Sequence, residues 1–183
     1  MGVRAEHKAR TRALLARTTL ELCLAQGFET TTVTEIAEAA GVSRRTFFRY
    51  FATKEEAFFA NEAERMAVVA TILERNPSTP WHGIRTGLSE LADLVADDRE
   101  RAIEQHRIVS ASTDLSAWQR YLDRRWEELF RESLTASLPS WRANAVAGAV
   151  TGLLRALLRA WNEAGGEPDL REWAQRALDE LEQ

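Results

Sequence analysis

The sequence predicts an all-α protein of about nine helices, in which a compact N-terminal group of three helices precedes a helical bundle. Apolar residues recur at spacings of three and four along most of the chain, and no segment shows the alternation of a half-buried strand. Glycine and proline stand where this periodicity stops, as they do at helix ends. The 45% of hydrophobic and 28% of charged residues are typical of a folded globular protein.

The first helix is expected over residues 5–26, because apolar side chains recur on one face and Gly27 follows as a C-terminal stop. The second helix starts after Thr32. Thr32 and Glu35 have the capping-box spacing, in which each side chain bonds the other residue's free backbone N–H. Gly41 ends this short helix, since glycine readily takes the left-handed conformation that turns the chain. A tight turn therefore follows the second helix.

The third helix is expected over residues 44–51, with Ser43 as its N-cap. Phe47, Tyr50 and Phe51 are three and four residues apart, so the aromatic side chains share one face and the arginines spread over the other. The aromatic face belongs to the core of the N-terminal group. The residues expected in that core are Ile36, Ala37, Ala40, Val42, Phe47 and Phe51.

The remainder of the chain is also expected to be helical. Thr53 and Glu56 form a second capping box, which opens a fourth helix that runs to about residue 75. Two prolines within residues 76–80 interrupt the pattern, because proline cannot continue a helix interior. Later helices are expected at 81–96, 99–110, 115–137, 140–162 and 168–182. The predicted domains are residues 1–54, the N-terminal group, and residues 55–183, a second helical domain.

Charge is distributed unevenly along the chain. The net charge is −4, but residues 1–54 contain nine Lys and Arg against five Glu and no Asp. The first domain therefore carries +4 and the remainder −8. A basic N-terminal domain on an acidic body is expected where only the first domain meets phosphate.

The segment from Thr30 to Lys54, TTTVTEIAEAAGVSRRTFFRYFATK, resembles the DNA-binding signature of the TetR family of bacterial regulators. The resemblance implies a helix-turn-helix domain in a one-component transcriptional regulator. Such a protein is typically a repressor that binds a palindromic operator as a homodimer and is released by a small-molecule effector. The segment RRTFFRYF and the stretch from Gln105 to Leu138 also resemble the subgroup related to regulators of mycofactocin systems. The alternative is a helical ligand-binding or protein-interaction module without specific DNA readout.

Arg44 and Arg45 are the candidates for reading bases. They stand in the first turn of the third helix, where cations are unfavourable to the helix dipole, so a functional role explains them better than stability does. A recognition helix enters the major groove and offers donors at its N-terminal end. A guanidinium can bond both O6 and N7 of guanine.

Other residues of this segment are expected to contact the DNA backbone or sugars. The resemblance implies phosphate contacts for Thr46, Tyr50 and Lys54, and it aligns Phe48 with a position that is commonly tyrosine. Phe48 has no hydroxyl and is expected to contact sugars or thymine methyl groups. Thr32 and Ser43 stand at helix N-termini, where free N–H groups favour phosphate, and Arg49 could reach the backbone. The N-terminal arm with Arg4, Lys8, Arg10 and Arg12 could also follow a minor groove or phosphates, or its charges could simply be solvated.

The last two helices are expected to form the dimer interface. In TetR-like regulators two long C-terminal helices pack against the same pair of a second subunit, and the resemblance implies the same arrangement here. An internal core is the alternative for these apolar faces. The expected interface residues are Val146, Ala149, Val150, Leu153, Leu157, Trp161, Leu170, Trp173, Ala177 and Leu181.

An effector pocket is expected in the helical body. All six tryptophans follow residue 80, and aromatic side chains commonly line ligand sites, although a tryptophan at helical spacing more often belongs to a core. The effector is expected to be apolar or amphipathic. The candidate residues are His106, Arg107, Trp118, Tyr121, Trp126 and Phe130.

Other classes of function lack support in the sequence. No run approaches the roughly 20 apolar residues of a membrane span, and the N-terminus lacks the apolar run of a secretory signal. Cys23 is the single cysteine, which agrees with a reducing compartment such as the cytoplasm. No glycine-rich phosphate loop, metal-ligand pair or catalytic set is present. The expectation is a cytoplasmic protein without cofactor, metal or enzymatic activity.

Overall fold

The computed structural model describes the backbone of residues 3–182 and the side chains of residues 5–180. Every regular element in that part of the chain is an α-helix, so the predicted fold class is confirmed. The ten helices are α1 Val3–Gln26, α2 Val33–Ala39, α3 Arg44–Tyr50, α4 Lys54–Phe58, α5 Ala60–Glu74, α6 Pro80–Ala96, α7 Arg99–Ala111, α8 Thr113–Leu134, α9 Ser140–Glu163 and α10 Leu170–Glu182.

The predicted fourth helix is divided into α4 and α5, which raises the expected nine helices to ten. The chain leaves helical geometry at Phe59, with φ −94° and ψ 23°. Phe58 and Phe59 are 2% and 5% exposed, and their rings make an edge contact at 5.1 Å. Adjacent residues of a straight helix point about 100° apart. The break lets both large rings be buried, a tertiary requirement that helical periodicity does not reveal.

Other helix ends differ from the predictions by a few residues. α8 begins at Thr113 and ends at Leu134 rather than covering 115–137, and α10 begins at Leu170 rather than at Pro168. Such shifts are common because end turns fray and depend on local caps.

The chain forms two compact units. The first contains residues up to 61 together with residues 108–116, where α7 ends and α8 begins. The predicted boundary lay after residue 54 and did not include this later segment. Leu115 in the later segment is fully buried, so the segment contributes to the packed interior as well as to the surface.

The core of the first unit is built on α1, α2 and α3. Five of the six side chains predicted for it are buried, and Val42 is half-buried against it. The buried members of this cluster are Leu15, Ala16, Ile36, Ala37, Ala40, Phe47, Phe51, Ala57 and Ala60.

The second unit contains residues 62–107 and 117–183. Five helices, α5, α6, α8, α9 and α10, supply its core, and no side chain of α7 is fully buried. At Gly87 on α6 an added Cβ would lie 3.0 Å from a methyl group of Val69 on α5, so glycine permits the close approach of these two helices. The largest of its fully buried side chains are Val69, Ile84, Phe130, Val150, Trp161, Leu170 and Leu178.

Candidate nucleic-acid interface

The turn between α2 and α3 has the geometry predicted from its sequence. The backbone N–H of Thr32 donates to the Glu35 carboxylate at 2.8 Å, and the N–H of Glu35 donates to the Thr32 hydroxyl at 3.2 Å. The backbone N–H and the hydroxyl of Thr32 both donate to the Glu35 carboxylate, and these two bonds lower the pKa of Glu35. Gly41 has φ +67°, and the N–H of Val42 donates to the carbonyl of Ala37 at 2.9 Å. The turn between the two helices is thus fixed by local hydrogen bonds and by glycine.

One face of α3 anchors it in the first unit. The N–H of Thr46 donates to the Ser43 hydroxyl at 3.1 Å, which caps the helix. Phe47 and Phe51 are 0% and 1% exposed, with ring centroids 5.9 Å apart. Because buried aromatic rings fix the rotation of a helix about its axis, the remaining side chains of α3 are directed outward.

The outward face of α3 is cationic with one apolar side chain. Arg44, Arg45 and Arg49 are exposed, and Phe48 lies on the same side. The guanidinium of Arg49 lies 5.2 Å from the Tyr50 ring, which restrains it over a half-buried aromatic group. The first turn of α3 contains no acidic residue. We define Arg44, Arg45, Phe48 and Arg49 as the reading face.

The hydroxyls predicted for phosphate contact are engaged in helix caps. The Thr32 hydroxyl donates to Glu35 at 2.8 Å, and the Ser43 and Thr46 hydroxyls are 3.0 Å apart. Thr32 and Ser43 remain exposed, while Thr46 is half-buried. Thr32 and Ser43 stand at the starts of α2 and α3, where free helix N–H groups favour an anion.

Lys54, which is predicted to contact phosphate, bonds the protein's own backbone in this structure. Its ammonium group donates to the carbonyls of Phe28 and, at 2.7 Å, Thr31, and lies 4.0 Å from the centroid of the Phe28 ring. Lys54 therefore ties α4 to the loop between α1 and α2. The sequence interpretation missed this role because the carbonyls that Lys54 meets are more than 20 residues away.

The basic residues near the N-terminus are helical rather than extended. Lys8 and Arg10 are exposed on α1, whereas Arg12 is half-buried. The Arg12 guanidinium lies 4.9 Å from the Phe51 ring and donates to the Ala60 carbonyl at 3.5 Å. Arg12 thus contributes to packing in the first unit. The side chain of Arg4 lies outside the described residues.

Three of the predicted dimer-interface residues belong to the chain's own core. Val150, Trp161 and Leu170 are each 1% exposed, and the indole N–H of Trp161 donates to the Pro168 carbonyl at 3.0 Å. Enclosed side chains have no surface left for a partner, so their assignment to an interface is corrected here. The other described members are accessible: Val146, Leu153, Leu157, Trp173 and Ala177 are half-buried and Ala149 is exposed. The Leu181 side chain lies outside the described residues.

The predicted effector residues have separate environments. Trp126 and Phe130 are stacked at 5.8 Å in the core of the second unit, and Trp118 packs on the exposed Tyr121 at 5.4 Å. His106 on α7 is half-buried, and burial lowers the pKa of its imidazole, with Glu163 and Arg159 as charged neighbours. Arg107 is exposed. Trp126 and Phe130 therefore act as core residues in this structure.

An apolar cleft lies elsewhere in the second unit, between α6, α9 and α10. Its enclosed volume is about 20 Å³, and the cleft is partly open to solvent. Only leucine and alanine residues line the cleft. None of the six predicted effector residues is among them. The sequence interpretation followed the aromatic residues and did not include these aliphatic ones. The lining residues are Leu88, Leu91, Ala92, Leu153, Leu154, Leu157, Leu158, Leu170, Ala174 and Leu178.

Two other kinds of feature are absent from the described part of the chain. No helix there has the length and apolar character needed to cross a membrane. No cluster of three or more His, Cys, Asp or Glu side chains there could hold a metal ion. Cys23 is buried, and burial raises the pKa of its thiol, so this residue behaves as a small core side chain.

Comparison with known proteins places the N-terminal unit in a recognised group. Residues 15–60 match the family described as "Bacterial regulatory proteins, tetR family". The matched range includes α2, α3 and the turn between them, which are the elements that present the reading face.

Two curated relatives are similar to this chain over different lengths. The HTH-type transcriptional regulator TcmR of Streptomyces glaucescens is 60% identical over 55 residues, which are 30% of this chain and 24% of TcmR. A candidate mycofactocin biosynthesis transcriptional regulator of Mycobacterium tuberculosis, MftR, is 27% identical over 112 residues, 60% of this chain and 57% of MftR. The chain thus spans about a quarter of one relative and somewhat over half of the other.

Among solved structures, the fold is similar to that of Thermus thermophilus FadR, described as a TetR family transcriptional repressor in complex with lauroyl-CoA. The TM-score is 0.65 and the identity 23%, over 93% of this chain and 92% of FadR. At this identity the likeness establishes the fold over both units, while the sequence match establishes the family relation of the N-terminal one.

Proposed function

We propose that the chain is a one-component transcriptional repressor of the TetR family, which residues 15–60 match, and that it reads a palindromic operator as a homodimer. The observation that carries the proposal is the reading face, where exposed Arg44, Arg45 and Arg49 project from a capped helix. Arginine is the usual partner of guanine O6 and N7 in the major groove. The protein would act in the bacterial cytoplasm, where it meets DNA.

Dimerisation through α9 and α10 supports operator reading, because two heads separated by about one helical turn of DNA recognise two half-sites. Trp141 on α9 is 72% exposed, and Ala145, Ala149 and Ala156 are exposed on the same face. Small side chains allow a second helix to pack closely. On α10, the half-buried Trp173 and Ala177 supply apolar surface. This interface excludes Val150, Trp161 and Leu170.

The effector is proposed to be a small apolar or amphipathic molecule that binds the second unit. The cleft between α6, α9 and α10 is lined only by leucine and alanine, which suits a hydrocarbon group rather than a polar one. The FadR complex with lauroyl-CoA shows that a protein of this fold takes a ligand with an acyl chain. Effector binding would favour a dimer whose head spacing no longer fits the operator.

Selection of random duplex DNA on the purified protein tests the proposal. At near-physiological salt we expect enrichment of one palindrome, and we expect its information content to collapse for Arg44→Ala and Arg45→Ala. Arg17→Ala is the matched control, because Arg17 is 63% exposed on α1 and pairs with Glu21 at 3.6 Å. Enrichment of no sequence, or binding that depends only on salt, would contradict the proposal.

A further inference from the structure

The reading face contains one large apolar side chain that its own fold does not bury. Phe48 is 49% exposed, while its neighbours in sequence and space, Phe47 and Phe51, are at most 1% exposed. A single exposed aromatic residue is ordinary on a protein surface. Phe48 is distinguished by its position, one helical turn after Arg44 and Arg45 on the same outward face.

The Phe48 ring is also held in place. It meets the Phe47 ring edge-on, with centroids 5.5 Å apart and planes at 86°, a favourable arrangement for two aromatic groups. Phe47 is itself completely buried and cannot easily move. The Phe48 ring therefore projects as a positioned apolar surface between cations, so that little conformational entropy would be lost when it meets a partner.

In the major groove, thymine is the one base that offers the Phe48 ring an apolar group to contact. Adenine, guanine and cytosine present hydrogen-bonding edges there, and thymine alone adds the apolar C5-methyl group. A phenyl ring cannot bond polar edges and would desolvate them at a cost. Against a methyl group, the same ring gains apolar contact.

We propose that Phe48 selects thymine through contact with its C5-methyl group, next to a guanine read by Arg44 or Arg45. This inference rests on the proposed function. Along the axis of α3, Phe48 is about 4.5 to 6 Å from the two arginines at ~1.5 Å per residue. Base pairs repeat at about 3.4 Å, and recognition helices lie in the groove. The selected thymine therefore lies one or two base pairs from the guanine.

Uracil substitution tests the inference, because uracil keeps the hydrogen-bonding edges of thymine and lacks only the methyl group. Each thymine of the selected operator is replaced in turn, and the dissociation constant is measured for the wild-type chain. We expect one thymine in each half-site to be sensitive, with about fourfold weaker binding for one methyl group and roughly fifteenfold for both half-sites. Phe48→Ala should bind the thymine and uracil operators equally.

Two variants make the test specific. Phe48→Leu keeps an apolar side chain and should retain part of the preference for thymine over uracil. Arg17→Ala should retain the full preference for thymine over uracil, because Arg17 lies on α1 and not on the reading face. The inference would be overturned if uracil substitution still weakened binding by Phe48→Ala, or if it did not weaken binding by the wild-type chain. Either result would leave operator binding established. Failure to select any operator would instead overturn the proposed function and this inference together.

Discussion

The hydroxyl of Ser112 donates a hydrogen bond of 2.5 Å to the carboxylate of Glu29, across 83 residues of sequence and within one compact unit. Ser112 is 3% exposed and also accepts the N–H of Leu115 at 3.3 Å, at the start of α8. The bond lowers the pKa of Glu29. It joins the connection between α7 and α8 to the loop that follows α1.

Removing the Ser112 hydroxyl should therefore weaken the first unit. For Ser112→Ala we expect a loss of about 1 kcal/mol at pH 7, the usual net value of one hydrogen bond, measured by urea unfolding. Because the folded-state pKa of Glu29 is lowered, the loss should be full above its unfolded value of about 4.3 and should shrink as the pH falls through the lowered pKa.

A double-mutant cycle separates this bond from other effects of the substitution. Glu29→Ala and Ser112→Ala should be non-additive, since both remove the same contact. Ser116→Ala is the control, because the Ser116 hydroxyl bonds the Val109 carbonyl at 3.0 Å and not Glu29. Additive losses for Glu29 and Ser112 would show that the bond contributes no stability.

The stability cost of substituting Gly41 should depend on its backbone conformation and not on the space around it. Its φ is +67°, and a Cβ added there would meet nothing within 4 Å. Gly41→Ala should cost about 1–2 kcal/mol from left-handed strain, whereas Gly41→Asn should cost less because asparagine enters this region more readily. Thermal unfolding of both variants measures the difference, and equal losses would contradict the explanation.

Phe47 and Phe48 should separate stability from DNA reading. Phe47→Ala empties a completely buried site and should destabilise the protein by about 3–5 kcal/mol. Phe48→Ala removes a half-exposed ring and should cost at most about 1 kcal/mol, the value of its edge contact with Phe47. Denaturant titrations of the two variants give the comparison. A large loss for Phe48→Ala would show that this ring belongs to the core.

Lys54→Met distinguishes a tether from a phosphate contact. Loss of two bonds to the carbonyls of Phe28 and Thr31 should destabilise the protein by about 1–3 kcal/mol. If the tether is its main role, the slope of log affinity against log salt for the operator should not change. A slope lower by about 0.9 would indicate a direct phosphate contact.

Ala149 tests the proposed dimer interface. It is exposed on α9, so Ala149→Glu should leave the monomer folded but place a charge between the packed helices. We expect sedimentation to show a shift from dimer to monomer, with operator affinity reduced in parallel. Asn144→Glu, at an exposed position about 140° around α9 from Ala149, adds the same charge outside this face and serves as the control. An unchanged dimer would exclude this face.

The sequence allowed prediction of features that depend on neighbouring residues. The capping box of Thr32 and Glu35, the turn at Gly41 and the buried face of α3 are all encoded within a few positions. The break at Phe59, the inward direction of Lys54 and the bond between Glu29 and Ser112 depend on contacts between distant segments. Periodicity contains no signal for such contacts, so the structure was needed to find them.

The predicted effector residues do not include the residues that line the cleft, for a related reason. Trp126 and Phe130 are predicted for the site because aromatic side chains commonly line ligand sites. In the structure the two rings stack against each other and are buried in the core. Leucines such as Leu154 and Leu158 are common in any helical bundle, and only the spacing of three helices turns them into a cleft. Cavity shape is a property of packing, which composition does not determine.

The division of α3 into a buried face and a reading face has a consequence for how such regulators diversify. Phe47, Phe51 and the Ser43 cap hold the helix, while Arg44, Arg45 and Phe48 contribute little to holding it. After gene duplication, a copy can change its outward side chains and acquire a new set of target promoters while the scaffold stays intact. Regulatory networks can therefore be rewired in small steps, without passing through unfolded intermediates.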